Sequence, residues 1–146
     1  KRTASLWLGR IHHDDNELEK ALQFFESTVN YGGNVGAESQ FKISQILYEK
    51  AEYEKAEQNI FTLVSDYSNY DEWKYKGFLL LVRTYIGLDD LFQARATAES
   101  ILENVNDEWV QNAASDLILE IETLEKGEPN GTDLIESGTL IDNDEK

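Results

Sequence analysis

Histidine occurs twice in the chain, and both copies fall in one tetrad, His12-His13-Asp14-Asp15, where ligands of the kind that hold a metal ion lie side by side. Hydrolysis on a bound zinc would be the chemistry of such a set. Neighbours on a helix point away from each other, however, and zinc sites gather ligands from separated positions. The tetrad therefore reads as a helix C-terminus entering a turn, where an imidazole is favourable beside exposed carbonyls. Tyr31-Gly32-Gly33-Asn34-Val35-Gly36 has the glycine content of a phosphate loop, but no strand precedes it and no Lys-Ser/Thr pair follows. It is expected to be a plain loop over 31–36. Cysteine is absent, which excludes a disulfide framework, a thiolate metal site and a cysteine nucleophile together. Carboxylates are so frequent, 29 Asp and Glu, that paired ones carry no catalytic signal. The expectation is a non-enzymatic protein with no cofactor and no metal.

Charge narrows the partners. Thirteen Lys and Arg among 146 residues leave a net charge of −16, most of which reads as a solvated acidic surface. Nucleic acid is disfavoured, since phosphate binding needs clustered bases to release counterions. Anionic membrane surfaces are disfavoured for the same reason. No run of about 18 apolar residues is present, so no direct membrane insertion is expected. The absence of Met, including at position 1, is what a processed chain or a piece of a longer one would show.

The elements that position these residues are helical. The only proline is Pro129, and 40% hydrophobic residues supply a core. Within 37–67, Phe41, Ile43, Leu47 and Tyr48 fall on nearly one side of a helix, with the small Ser44 among them. Ala51-Glu52-Tyr53 makes a turn, and Ala56, Ile60, Leu63, Val64 and Tyr67 form the stripe of a second helix. A helical hairpin follows, and the methyl of Ala56 lets its two axes approach toward the short end of the ~8–10 Å range. The pattern recurs on both sides. Leu8-Gly9, His12, Leu18, Ala21, Phe25 and Thr28 stand in the places of Ile43-Ser44, Leu47, Tyr53, Ala56, Ile60 and Leu63; downstream the places are taken by Leu81-Val82, Tyr85, Leu91, Ala94, Ala98 and Ile101. Helices are expected over 1–13, 17–30, 71–87 and 91–104. A further one over 108–126 has Val110, Ala113, Leu117, Ile121 and Leu124 as its stripe and Glu120, Glu122 and Glu125 facing outward.

Ala21, Ala56 and Ala94 stand 35 and 38 residues apart, near the roughly 34-residue period of tetratricopeptide repeats (TPR), whose pattern has Leu-Gly, an aromatic and Ala at fixed offsets. Over residues 2–105 the chain resembles that family. It departs at Val82, which replaces a small residue, at His12, which replaces an aromatic, and in lacking the Pro at each repeat end. The resemblance implies an all-α fold, a right-handed α-solenoid of three TPR-like helical hairpins plus a C-terminal capping helix. Residues 1–126 would form the repeat domain, with repeats at about 2–36, 37–70 and 71–106 and the capping helix at 107–126. Residues 127–146, acidic and carrying the apolar pairs Leu134-Ile135 and Leu140-Ile141, are expected to be a solvated flexible tail, with weak docking of those pairs in the groove as the alternative. Asn130-Gly131-Thr132 in it fits the N-glycosylation pattern. The stretch Asp90-Leu91-Phe92-Gln93-Ala94-Arg95-Ala96-Thr97 resembles large TPR proteins of Bacteroidota-type bacteria, many of them exported to the cell envelope. That likeness favours a bacterial envelope or periplasm over the cytoplasm.

For function, the resemblance implies a groove lined by the first helix of each hairpin that receives a partner's peptide or helix. Its inward positions correspond to Thr3, Leu6, Trp7, Arg10 and His13, then Glu38, Phe41, Lys42, Gln45 and Tyr48, then Lys76, Leu79, Leu80, Arg83 and Ile86. Four bases against one acid imply a locally basic and aromatic groove for an acidic protein or peptide partner. The partner-binding residues expected are Trp7, Arg10, Phe41, Lys42, Gln45, Tyr48, Lys76, Leu79 and Arg83. The family's carboxylate clamp would fall on Leu6, Arg10, Lys42, Lys76 and Leu80; only Lys76 matches it, so binding of chaperone tails is not implied. The alternative is an architectural C-terminal cap of a longer TPR scaffold with its ligand site elsewhere.

Overall fold

A computed structural model describes residues 2–127; the expectations for Pro129, Asn130-Gly131-Thr132 and the two Leu-Ile pairs lie outside them. The described residues are all-helical. Seven helices follow in order: α1 (Arg2–Asp14), α2 (Leu18–Val29), α3 (Gly33–Glu49), α4 (Tyr53–Asp66), α5 (Asp71–Gly87), α6 (Leu91–Asn104) and α7 (Glu108–Gly127). Each packs on the next, and connections of three or four residues make neighbours antiparallel. The odd helices also touch in series, α1 on α3, α3 on α5 and α5 on α7, whereas α2, α4 and α6 make no backbone-level contact with one another among the described residues. The result is a layer of odd helices with each even helix set against two of them.

The same turn closes α1, α3 and α5. Asn16, Ala51 and Asp89 each adopt left-handed backbone, at φ of 60°, 61° and 59°. The amide of each of these residues donates to the carbonyl three residues back: Asn16 to His13, Ala51 to Tyr48 and Asp89 to Ile86. The next amide reaches five back, Glu17 to His12, Glu52 to Leu47 and Asp90 to Tyr85. These paired bonds satisfy carbonyls that a helix end leaves open. Five residues beyond each left-handed position comes a fully buried alanine, Ala21, Ala56 or Ala94. The odd helices carry small buried residues of their own: a Cβ on Gly9 would lie 2.9 Å from the Phe25 ring of α2, and Ser44 is buried with its hydroxyl on the Gln40 carbonyl at 3.0 Å. Val82 fills the corresponding place in α5 and is fully buried.

Two apolar clusters result. Leu6, Ala21, Phe25, Ile43, Ile46, Leu47 and Ala56 form one, and the larger runs from Ala37 and Phe41 through Trp73, Val82 and Ile101 to Ile121. Tyr48 packs against both.

Three expectations need correction. The loop expected over 31–36 is helical in four of its six positions, because α3 starts at Gly33. Gly36 is there for close approach rather than to break the helix: a Cβ on it would sit 2.5 Å from the Tyr67 hydroxyl, which donates to the Val29 carbonyl at 3.2 Å, and 2.9 Å from that carbonyl itself. Gly32 and Gly33, at φ of 68° and 60°, make the turn. In α7 the fully buried alanine is Ala114, not Ala113, and Leu124 is exposed. Finally, the turn closing α3 runs over 50–52, with Tyr53 already helical.

Ala56→Leu should overpack the second hairpin and cost about 1–3 kcal/mol in urea unfolding. Ala51→Gly should instead raise stability by up to about 1 kcal/mol, since the ~1–2 kcal/mol penalty of left-handed alanine outweighs glycine's entropy cost. Asn16→Gly should gain less, because asparagine tolerates that backbone.

Candidate functional site

Where α1, α3 and α5 run side by side, a cleft of about 430 Å3 opens, lined by Arg10 and Asp14 of α1, by Glu38, Phe41, Lys42 and Gln45 of α3, and by Trp73 and Lys76 of α5. The i, i+3 and i, i+4 spacings 10/14, 38/41/42/45 and 73/76 place these residues on one face of each helix. Five of the nine residues expected from the resemblance meet here: Arg10, Phe41, Lys42, Gln45 and Lys76. Trp7, Tyr48, Leu79 and Arg83 do not line this cleft. Leu6 and Leu80, given as inward positions, are buried in the core.

The charges are arranged differently from a plain basic groove. Arg10 is locked to Glu38, with Nε donating to Oε1 at 2.6 Å and Nη2 to Oε2 at 2.5 Å, and the Glu38 side chain is only 4% exposed. This forked bond raises the Arg10 pKa, against a smaller lowering by burial. The guanidinium also lies over the Trp7 ring, 4.7 Å from its centroid, which places Trp7 beside the cleft mouth. Lys76 donates to Glu72 at 3.0 Å and sits 4.5 Å over Trp73. Arg83 faces Glu120 at 3.6 Å. Three of the four expected bases are therefore compensated.

Lys42 is the exception. Its ammonium makes one long bond, 3.4 Å to the Gln45 amide oxygen, and forms no ion pair among the described residues. Burial lowers its pKa below the ordinary lysine value, more than the nearby charge of Glu38 and Asp14 restores. The floor beside it is aromatic. Phe41 and Trp73 pack with ring centroids 5.8 Å apart, and the Trp73 indole N–H is held by Asn34 at 3.0 Å. Trp73 and Asp14 were not among the expected site residues. Trp73 lies in the first turn of α5 and is indistinguishable by pattern from a core residue.

Flanking features set the cleft's limits. Next to it, sharing Lys76, is an acidic recess of about 560 Å3 with Asp71, Glu72 and Asp107 beside Tyr75 and Trp109. A third recess of about 360 Å3 between α5 and α6 holds no ionisable group. The two histidines diverge. His12 stacks on Phe24 at 5.4 Å and bonds Glu17 at 3.0 Å, while His13 bonds Glu49 of α3 at 2.7 Å. No described helix is long and apolar enough to cross a membrane.

No protein-family model matches the chain, and no curated protein is significantly similar to it.

Arg10→Ala should leave Glu38 buried without its partner and destabilise the fold by roughly 2–3 kcal/mol, less than the ~3–5 of a fully buried pair because Arg10 is about a third open to water. Arg10→Ala combined with Glu38→Leu should recover most of that loss. Equal denaturant midpoints for Arg10→Ala and the parent would show that the pair does not hold α1 to α3.

Proposed function

We propose that the chain is a non-enzymatic protein-interaction module of tetratricopeptide type, whose odd-helix face binds an acidic peptide or helix of a partner protein. The observation that carries this reading is Lys42: a half-buried ammonium without a counter-ion, in a cleft, on a chain of net charge −16. A buried cation is costly unless paired, so a ligand carboxylate offers the pairing that the fold withholds. Phe41 and Trp73 supply an apolar shelf for a neighbouring side chain, and Gln45 a polar group to orient the backbone. The acidic recess across Lys76 repels the same carboxylate and keeps it on the Lys42 side of Lys76. In a helical-repeat protein this layer of first helices is the surface that extended ligands follow.

A second reading, that the chain is an architectural C-terminal cap of a longer scaffold, is favoured by α7. Where α1, α3 and α5 turn Gly9, Ser44 and Val82 toward their own even helix, α7 presents Leu119, 62% exposed; the next position is Glu122, 3.8 Å from Arg95. Arg95 of α6 also binds Glu125 at 2.5 Å, so charge ties α7 back onto the helix before it.

Titration of a fluorescein-labelled peptide of alternating Glu and Leu, followed by fluorescence polarisation, separates the readings. Lys42→Met should weaken binding about tenfold or more, the ~1.5–3 kcal/mol of a charge-assisted bond, and should leave stability unchanged or higher. Added salt should reduce the effect. Affinity should also fall as pH rises through the lowered Lys42 pKa, because only the ammonium attracts the carboxylate. Equal losses from neutralising Lys20, Lys55 and Arg95, all on even helices, would sink the claim of a specific face.

A further inference from the structure

The three tryptophans all stand on odd helices, Trp7 on α1, Trp73 on α5 and Trp109 on α7. An indole face attracts a cation, and two of the three rings receive one from their own helix, three residues on. The Arg10 guanidinium lies 4.7 Å from the Trp7 centroid, and the Lys76 ammonium 4.5 Å from that of Trp73. Trp109 breaks the pattern. Three residues beyond it stands Asn112, and no cation or second ring among the described residues meets its indole, which is 44% exposed.

The surroundings of Trp109 are those that a cation needs. With Tyr75 it walls the recess of about 560 Å3 into which Asp71, Glu72 and Asp107 bring their carboxylates. Two of these are answered within the chain, Asp71 by Lys74 at 3.2 Å and Glu72 by Lys76 at 3.0 Å. Asp107 is not: its partly buried side chain makes no ion pair and no hydrogen bond among the described residues. We infer that this recess takes a guanidinium of the same ligand whose carboxylate pairs with Lys42, stacked on Trp109 and bonded to Asp107. The inference rests on the reading of Lys42 given above, and it adds to that ligand a second charge of opposite sign at a set distance. Lys76 lines both the cleft and the recess, so the two are continuous across α5. From α3 to α7 is two helix spacings, roughly 16–20 Å, which an extended chain covers in about six residues. A guanidinium suits the recess better than an ammonium, because its plane stacks on an indole while its edge bonds a carboxylate. A wholly acidic ligand meets repulsion here, so the recess selects among partners that Lys42 alone would accept.

The probes are two variants of the labelled Glu-Leu peptide, with either the first or the last glutamate replaced by arginine, six residues from a glutamate that is kept. Titrated into the full chain, at least one of the two should bind about fivefold or more tighter than the all-acidic peptide. Asp107→Asn should abolish that gain and leave affinity for the all-acidic peptide equal or higher. Glu54→Gln, at an exposed carboxylate of α4, should leave the gain intact. In the 15N-labelled chain the Trp109 indole N–H should shift with the arginine peptide and stay in place with the all-acidic one. The inference is overturned if neither order of charges gains affinity, if the gain survives Asp107→Asn, if the Trp109 indole does not move, or if Glu54→Gln removes the gain equally, which would make it a general effect of net charge. Lys42→Met tells the two readings apart. If it weakens both kinds of peptide while Asp107→Asn weakens neither, the Lys42 reading stands and this inference falls; if it weakens neither kind, both fall.

Discussion

The close approach of helices within each hairpin is the constraint on which the rest of the molecule depends. It is set by two residues at fixed separation: a left-handed residue that reverses the chain, at Asn16, Ala51 or Asp89, and a fully buried alanine five residues later. The first aims the even helix back along the odd one, and the second lets the two axes close. With even helices drawn in on one side, successive odd helices come into contact with each other while the even ones stay apart. Residues far apart in sequence, such as Arg10, Lys42 and Lys76, are thereby brought to one cleft.

Electrostatics then distinguishes this cleft from the rest of an acidic surface. Nearly every described base is paired with a carboxylate, most of them on exposed faces where such pairs contribute little to stability. Arg10 and Glu38 differ, because Glu38 is buried and the guanidinium grips both its oxygens. Lys42 differs in the opposite sense, being desolvated and without an ion pair among the described residues. A site of this kind costs some stability in the free protein and regains it when an anion binds, which is the usual compromise between stability and recognition.

Much of this was legible in the residues. Helix periodicity and the alanines at 21, 56 and 94 located the hairpins, and all three alanines are fully buried. The start of α3 was obscured because a glycine needed for close approach, Gly36, looks the same in sequence as one needed for a turn. The left-handed turns were not legible, since Asn, Ala and Asp occupy one backbone state without a common side-chain type. Five cleft residues followed from the repeat register, but their ion pairing did not. Glu38 is four residues from Lys42 and could have served either base; only the packing of α1 on α3 gives it to Arg10. Trp73 was hidden because a single ring can serve both the core and a cleft floor.

The most direct test of the account is the ionisation of Lys42 itself. Its side-chain 13Cε resonance, followed by NMR against pH in the full chain, should titrate below the ordinary lysine value because the ammonium is desolvated and unpaired. Saturation with an acidic peptide should move that titration upward. A Lys42 that titrates as an ordinary exposed lysine in the free chain, and does not move when peptide is added, would contradict the account.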